Sequence, residues 1–314
     1  MTRNDNLRAF ATRNALGLAM TVFVILFAAA EPAFLKPENL IGILRSQALV
    51  AIMATGMTFV IMTGGVDLSV GPVLALSGVV NFYVMDAGWG LPLSMSAAIA
   101  TGLLIGAANG TLIAALNLPP IIVTLAALSI VRGSALLLGG PDLHSIRGQP
   151  VFTFLGSGQL FGLPFSVVIA AVVAALMIFV QKLTPLGLLV AAIGENERAA
   201  WLSGLRVRRV KVLLYGLCSA GAALAGLIQT SQVHTAAATY GEFGTELDVI
   251  AAVVLGGTSL SGGTGSVART MLGVLFLGIL NNGMSIMNMP INLQLIAKGI
   301  IIAGALAAAQ RSAD

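Results

Sequence analysis

The scarcity of charged side chains constrains this chain more than any other feature of its sequence. Only 9% of its residues are charged and 57% are apolar, whereas an ordinary soluble domain has about 25% charged residues. A water-soluble fold of this composition would expose large apolar patches and would aggregate. We therefore expect an all-α, polytopic membrane protein.

About twenty apolar residues cross a bilayer as a helix, and fewer suffice where the backbone is broken inside the protein. By this criterion the sequence predicts one transmembrane domain, 1–314, with ten spans. The eighth of these spans is short. The N-terminal apolar run is similar to a signal peptide, but further spans follow it, so we interpret it as an uncleaved first span. The ten spans are 14–31, 46–63, 70–86, 92–116, 119–138, 163–181, 211–230, 246–257, 267–286 and 291–309.

Basic residues predict the orientation, because Lys and Arg are retained on the cytoplasmic side. Arg3, Arg8 and Arg13 put the N-terminus in the cytoplasm, and Arg311 is predicted to lie on the same side. Six crossings separate the N-terminus from the one charge-rich stretch of the second half, residues 186–211, here named the charged segment. It is therefore also cytoplasmic. Residues 139–162 then lie outside, either as a partner surface or as a solvated loop.

Two glycine-rich breaks interrupt apolar segments and resemble each other at a shift of 192 residues. Gly-Gly-Val-Asp-Leu-Ser-Val-Gly at 64–71 aligns with Gly-Gly-Thr-Ser-Leu-Ser-Gly-Gly at 256–263. We predict broken or short helices near 64–71 and 256–265, both toward the cytoplasmic side. The alternative is coincidence in a chain with 37 glycines. A separate stripe, Gly102, Gly106 and Gly110, predicts close helix packing.

Ionisable residues at membrane depth are costly and need an explanation. Asp67 follows the first Gly-Gly pair, so it either caps the next helix or lies at the inner gate of a translocation path. Glu246 and Asp248 either mark the outer end of the eighth span or belong to a proton relay. Arg269 and Lys298 are the basic members of this group. No chain of acids and histidines along one path is visible.

Several chemistries are not supported by the residues. Gly263-x-Gly265-x-x-Ala268 imitates a dinucleotide fingerprint, but no soluble βαβ unit surrounds it and no P-loop lysine follows. His144 and His234 have no companions at metal-ligand spacing, so we predict no metal and no cofactor. No nucleophile, base and orienting acid occur together. The single cysteine, Cys218, excludes an internal disulfide. The chain is not expected to be an enzyme by itself.

The charged segment reads as a helix, a glycine turn, and a short helix that begins near Glu197 with Asn196 as its N-cap. Acids at its start and arginines beyond its end match the helix dipole. Ala199, Ala200 and Ser203 form a small-residue face suited to a groove on a partner protein. The simpler alternative is a solvated loop held by positive-inside charge.

Three ordered stretches then resemble the permeases of ribose-type monosaccharide ABC importers, over most of residues 40–305. The first stretch, Gly194-x-Asn196-x-x-Ala199-Ala200-x-x-Ser203-Gly204, resembles the cytoplasmic coupling motif of that family. The other two stretches are residues 64–71 and residues 246–260. Val66 and Leu205 stand where Ile is usual in that family. Thr264 stands where a basic residue is common, which puts a salt contact there in doubt.

The resemblance implies a permease in the bacterial inner membrane that works with a cytoplasmic ABC ATPase, a periplasmic sugar-binding protein and a second permease subunit. It implies a coupling loop at about 183–210 and a monosaccharide substrate. An ion-coupled secondary transporter and a purely structural membrane subunit are the alternatives. The candidate residues for ATPase coupling are Gly194, Glu195, Asn196, Ala199, Ala200, Ser203 and Gly204. The candidates for the sugar path or gate are Asp67, Ser69, Asn109, Thr124, Asn281 and Asn282.

Overall fold

The computed structural model describes residues 15–241 and 244–311, so Arg3, Arg8 and Arg13 lie outside the described residues. The described chain is almost entirely helical. In chain order its elements are α1 (Ala15–Ala30), a 3₁₀ turn (Pro32–Leu35), α2 (Pro37–Met62), α3 (Val70–Asp86), α4 (Leu91–Leu116), α5 (Pro120–Gly139), β1 (His144–Ser145), α6 (Pro150–Ser157), β2 (Gln159–Leu160), β3 (Leu163–Pro164), α7 (Phe165–Leu183), α8 (Pro185–Glu195), α9 (Glu197–Leu202), α10 (Val207–Val233), β4 (Thr235–Ala236), α11 (Thr245–Leu255), α12 (Val267–Ile286) and α13 (Ile291–Arg311).

Six of the described helices, α2, α4, α5, α7, α10 and α12, are long and apolar enough to cross a membrane. Proline stands in the first turn of α2, α4, α5 and α8, where its missing N–H would have no intrahelical partner in any case. The chain is an all-α membrane protein, as its composition predicts. The few strands form two antiparallel pairs, β1 with β4 and β2 with β3.

The core is organised around α10, which packs against α2, α3 and α4. The glycine stripe of α4 makes the closest of these contacts. A Cβ added at Gly110 would lie 2.7 Å from the Val212 Cα, and one at Gly106 would lie 2.8 Å from the Ser219 Cβ. These distances leave no room for a side chain, so the predicted packing role of the stripe is confirmed.

The first glycine-rich break separates α2 from α3 and leaves residues 63–69 without helix. Asp67 in this break bonds to Ser219, near the middle of α10. The 17-residue α3 therefore starts at mid-depth in the bundle and covers about 25 Å at 1.5 Å per residue. Residues 63–69 therefore form a non-helical segment that leads from the end of α2 into the bundle.

The eighth predicted span is shorter than a membrane crossing, because α11 has only 11 residues, about 16 Å. It begins beside the start of α3, since a Cβ at Gly71 would lie 2.6 Å from the Glu246 Oε2 and 2.9 Å from the Gly241 carbonyl oxygen. Glu246 thus lies beside the start of α3 inside the bundle. The described residues just before α11, 237–241, contain turns and no helix.

Candidate functional site

The charged segment folds into α8, α9 and the start of α10. Asn196 interrupts the helix: its side-chain Oδ1 accepts a hydrogen bond of 2.9 Å from the Ala199 N–H, which makes it the N-cap of α9. The predicted start at Glu197 is confirmed. The predicted glycine turn is wrong, because Gly194 lies inside α8 and the chain turns at Asn196 instead. At the other end, Gly204 adopts a φ of +83° that favours glycine after a helix.

The exposed surface of α9 differs from the predicted small-residue face. Ala200 is only 6% exposed and packs inward, whereas Ala199 and Ser203 are exposed. The Ser203 hydroxyl donates to the Ala199 carbonyl, so it closes the helix. Trp201 and Leu202 are 62% and 69% exposed and provide most of the apolar surface. Sequence reasoning missed these two side chains, although large apolar residues in a water-exposed helix are themselves a signal for a partner.

Gly194 brings α8 into direct contact with both breaks. A Cβ at this position would overlap the Met62 carbonyl oxygen and the Gly263 nitrogen. Those two atoms are bonded to each other across the breaks, with the Gly263 N–H donating to Met62 at 2.9 Å. The two glycine-rich breaks therefore lie side by side against α8.

A polar cleft of about 410 Å³ opens beside this contact. The Glu197 carboxylate and the Lys211 ammonium form an ion pair of 2.6 Å in its wall. The rest of the wall comes from the two breaks, from α8 and from the turn between α4 and α5. The lining residues are Thr63, Gly64, Ile113, Asn117, Leu118, Pro119, Pro120, Ile193, Gly194, Glu197, Lys211 and Ser261.

Four of the six path candidates meet in one buried cluster at the first break. The Asp67 carboxylate accepts from the Ser69 N–H at 3.0 Å, from the Ser69 hydroxyl at 2.6 Å and from the Ser219 hydroxyl at 3.0 Å. Asn109 on α4 donates to the Ser69 Oγ at 3.1 Å. The Thr124 hydroxyl on α5 is shared between the Pro120 carbonyl of its own helix, at 2.9 Å, and the Val66 carbonyl of the break, at 3.3 Å. Asp67 and Ser69 are fully buried. Because these hydrogen bonds come from α4, α5 and α10, the three helices jointly fix the conformation of the break.

The other two path candidates lie on α12, away from this cluster. Asn282 and Asn39 exchange two side-chain hydrogen bonds of 2.8 and 2.9 Å, which join α12 to the start of α2. The side-chain oxygen of the neighbouring Asn281 is buried and has no hydrogen-bond partner.

The remaining ionisable groups of the apolar segments lie apart from this cluster. Asp248 on α11 pairs with Lys298 on α13 at 2.9 Å. Arg269, in the first turn of α12, is exposed. Arg132 on α5 donates to the carbonyls of Ala238, Tyr240 and Gly241 at 2.6, 2.8 and 3.1 Å and so holds the turn that these residues form before α11. Sequence reasoning missed Arg132, although an arginine inside an apolar span is a signal in itself.

No metal site is found among the described residues, in which no three His, Cys, Asp or Glu side chains lie together. His144 instead bonds the Gly139 carbonyl at 2.6 Å and stacks on Phe82. The dinucleotide-like glycine run forms the second break and packs on α8, with the Gly263 N–H already bonded to Met62.

Residues 39–306 match the family described as branched-chain amino acid transport system / permease component. The chain is 41% identical over 286 residues to the ribose import permease protein RbsC of Bacillus subtilis (strain 168), covering 91% of this chain and 88% of that protein. The identity to RbsC of Escherichia coli (strain K12) is 38% over 288 residues, with coverage of 91% and 89%. It is 35% over 292 residues to the L-arabinose ABC transporter permease protein AraH of Azospirillum brasilense, with coverage of 92% and 85%. No solved structure matches the chain.

Proposed function

From the premise that this chain belongs to the permease-component family of branched-chain amino acid transport systems, we propose that it is the permease subunit of an ATP-driven importer of a monosaccharide. The family description names amino acids, but ribose and L-arabinose are the solutes named for relatives that match nine-tenths of the chain. A pentose is therefore the first substrate class to test.

The observation that carries this proposal is the connection from α9 to the breaks. α9 is a short capped helix that presents Trp201 and Leu202 to solvent, and α8 in front of it contacts both breaks at Gly194. A partner that moves α9 would act on the broken crossings through α8. We assign this partner role to a cytoplasmic ABC ATPase, which would hydrolyse ATP in place of this chain. Gly194, Glu195, Asn196, Ala199, Ala200, Ser203 and Gly204 shape and support the docking helix.

The ten-span topology fits this role, with both termini in the cytoplasm of a bacterium and the chain in the inner membrane. Residues 63–69 together with α3 would then form the third crossing. The non-helical residues 237–241 together with α11 would form the eighth crossing. Broken crossings place polar backbone at membrane depth only where protein or a water-filled cavity surrounds it. A second permease subunit would complete the pathway, and a periplasmic binding protein would deliver the sugar and supply most of the selectivity.

Asp67, Ser69, Asn109 and Thr124 are our candidates for the gate, because they hold the first break closed through direct hydrogen bonds. Asn281 offers an unsatisfied oxygen to a sugar hydroxyl. Asn282 contributes through its pairing with Asn39. A ligand rich in hydroxyl groups suits such amide and hydroxyl side chains better than fixed charges.

Reconstitution of the chain with its ATPase and binding protein in proteoliposomes tests the proposal. We expect uptake of radiolabelled D-ribose or L-arabinose that requires ATP and both partners. Uptake driven by an ion gradient without ATP or partners would favour a secondary transporter instead. Asp67 and Asp248 argue against that alternative, since one is bonded to Ser69 and Ser219 and the other to Lys298.

A further inference from the structure

One face of α10 connects the ion pair at α9 with the buried break before α3. Lys211, Tyr215 and Ser219 follow each other at four-residue spacing, which puts them on the same side of the helix, one turn apart. Each of them contacts a residue outside α10 that belongs either to α9 or to the break. The face is therefore continuous from the partner surface to mid-depth.

The lower end of this face is a buried cation. The Lys211 side chain is 9% exposed, and its ammonium pairs with Glu197, the first residue of α9, whose side chain is 51% exposed. A surface ion pair contributes little to stability. Separating a buried ammonium from its carboxylate is strongly destabilising, because it leaves an uncompensated buried charge. The position of Glu197 is thus linked to α10 more tightly than an ordinary surface pair would link it.

The upper end of the face binds the break itself. The Tyr215 hydroxyl donates to the Val66 carbonyl at 3.4 Å, and the Ser219 hydroxyl donates to the Asp67 carboxylate at 3.0 Å. Both side chains are buried, with Tyr215 1% exposed. Gly65 passes so close to the Tyr215 ring that an added Cβ would overlap the hydroxyl oxygen. A shift of α10 would therefore displace residues 65–67 directly through these contacts.

α4 stiffens this connection from the side. Gly106 and Gly110 pack backbone against backbone with α10 at Tyr215 and Val212, and Asn109 between them reaches the Ser69 Oγ. Closely packed helices move as a unit because packed interfaces do not deform continuously. α4 and α10 thus form one body that holds the break at Val66, Asp67 and Ser69.

We propose that Lys211, Tyr215 and Ser219 are positioning residues for transport: they transmit displacement of the docking helix α9 to the gate at Asp67. The proposal rests on the proposed function, because it requires an ATPase that moves α9. Contact of α8 with the breaks at Gly194 acts at their ends, whereas the α10 face acts at mid-depth, where Asp67 is buried. If displacement passes from α9 to Asp67 along this α10 route, then breaking the contact at Lys211 or the contact at Ser219 should reduce the coupling of ATP hydrolysis to transport in the same way.

A double-mutant cycle in the reconstituted importer tests this route. Lys211→Met removes the ion pair and Ser219→Ala removes the bond to Asp67, and the two positions share no partner. We expect each single variant to lower the number of sugars imported per ATP hydrolysed by about five-fold or more. On a single route the double variant loses little beyond the worse single variant. Distant sites that act independently combine multiplicatively instead.

Lys298→Met is the matched control, since it removes the same kind of lysine from a different carboxylate pair, with Asp248. Any effects of Lys298→Met and Ser219→Ala should multiply. The ratio of sugar to ATP separates coupling from folding, because a merely structural loss lowers uptake and ATP hydrolysis together. If Lys211→Met fails to insert, Glu197→Gln breaks the same pair from its solvent-exposed side.

Two outcomes would overturn the proposal. If Ser219→Ala leaves the ratio of sugar to ATP unchanged, or if Lys211→Met and Ser219→Ala multiply as the control pair does, the α10 face does not transmit the movement, while the proposed function stands. If the wild-type complex imports no monosaccharide with ATP, in a panel of pentoses and hexoses that includes D-ribose and L-arabinose, the proposed function fails and the route loses its premise.

Discussion

Substitution of Gly194 by alanine is expected to separate the docking segment from the two breaks. The added Cβ would lie 3.0 Å from the Gly263 Cα and closer still to the Met62 carbonyl oxygen and the Gly263 nitrogen. Non-bonded heavy atoms in contact prefer about 3.5–4.0 Å, and the Met62 oxygen is the nearest obstacle, so α8 must move away from the breaks by more than about 1 Å. The obstructing atoms belong to backbone and have no rotamer by which to yield.

The cost of such overpacking is about 1–3 kcal/mol, against which the better helix propensity of alanine returns up to about 1 kcal/mol. Each 1.4 kcal/mol corresponds to about ten-fold in an equilibrium. Because the obstructing atoms are backbone, we expect the upper part of this range, a net cost of about 1–2 kcal/mol, and therefore a fall of about five- to thirty-fold in ATP-driven sugar uptake per inserted permease. Uptake into proteoliposomes, normalised to the amount of permease, measures this loss.

Gly133→Ala is the control, because Gly133 lies inside α5 and a Cβ there would meet nothing within 4 Å. That variant should insert and transport like the wild type, with equal or slightly higher stability. Equal uptake by Gly194→Ala and Gly133→Ala would refute the argument that close contact at Gly194 links the docking segment to the breaks.

Three further substitutions test other contacts. Arg132→Met should lower the unfolding free energy in detergent by about 2 kcal/mol or more, since hydrogen bonds to charged groups contribute about 1.5–3 kcal/mol and three carbonyls depend on this guanidinium; an unchanged melting curve would contradict it. Asn282→Leu should cost about 1–3 kcal/mol by leaving the Asn39 Oδ1 without its donor, and adding Asn39→Leu should recover part of that loss in the same melting assay. Trp201→Ala should weaken capture of the ATPase by about thirty-fold, or about 2 kcal/mol, without changing the stability of the permease, whereas Ala200→Leu should destabilise the permease itself because Ala200 is buried.

The helices were predictable from sequence because the bilayer imposes a length that apolar runs reveal directly. Helix α12 begins and ends where the pattern predicts, at Val267 and Ile286. The place of α11 in the bundle was not predictable, because a short apolar run following Glu246 is compatible with more than one packing arrangement. Its true position depends on the contact between Gly71 and Gly241, which local sequence does not encode.

In the candidate site, too, the features set by local sequence were predictable and those set by tertiary packing were not. The N-cap at Asn196 follows from local chemistry and is confirmed. The direction in which Ala200 and Trp201 point depends on how α9 rests against its neighbours, so the small-residue face was misjudged. Asp67, Ser69, Asn109 and Thr124 were chosen singly for their polarity, and only the fold brings them into one hydrogen-bonded cluster.

Site-directed photo-crosslinking tests most directly the central claim that α9 is the surface on which the ATPase docks. The chain has one cysteine, buried Cys218, so Cys218→Ala provides a background in which Leu202→Cys and Phe161→Cys can each carry a benzophenone label. Leu202 is 69% exposed on α9, and Phe161 is 96% exposed on the β2–β3 turn, which follows α6 at the opposite end of α10. In the assembled importer we predict an ATPase adduct from position 202 and none from position 161. An adduct from position 161, or none from position 202 in a complex that still hydrolyses ATP, would contradict the account.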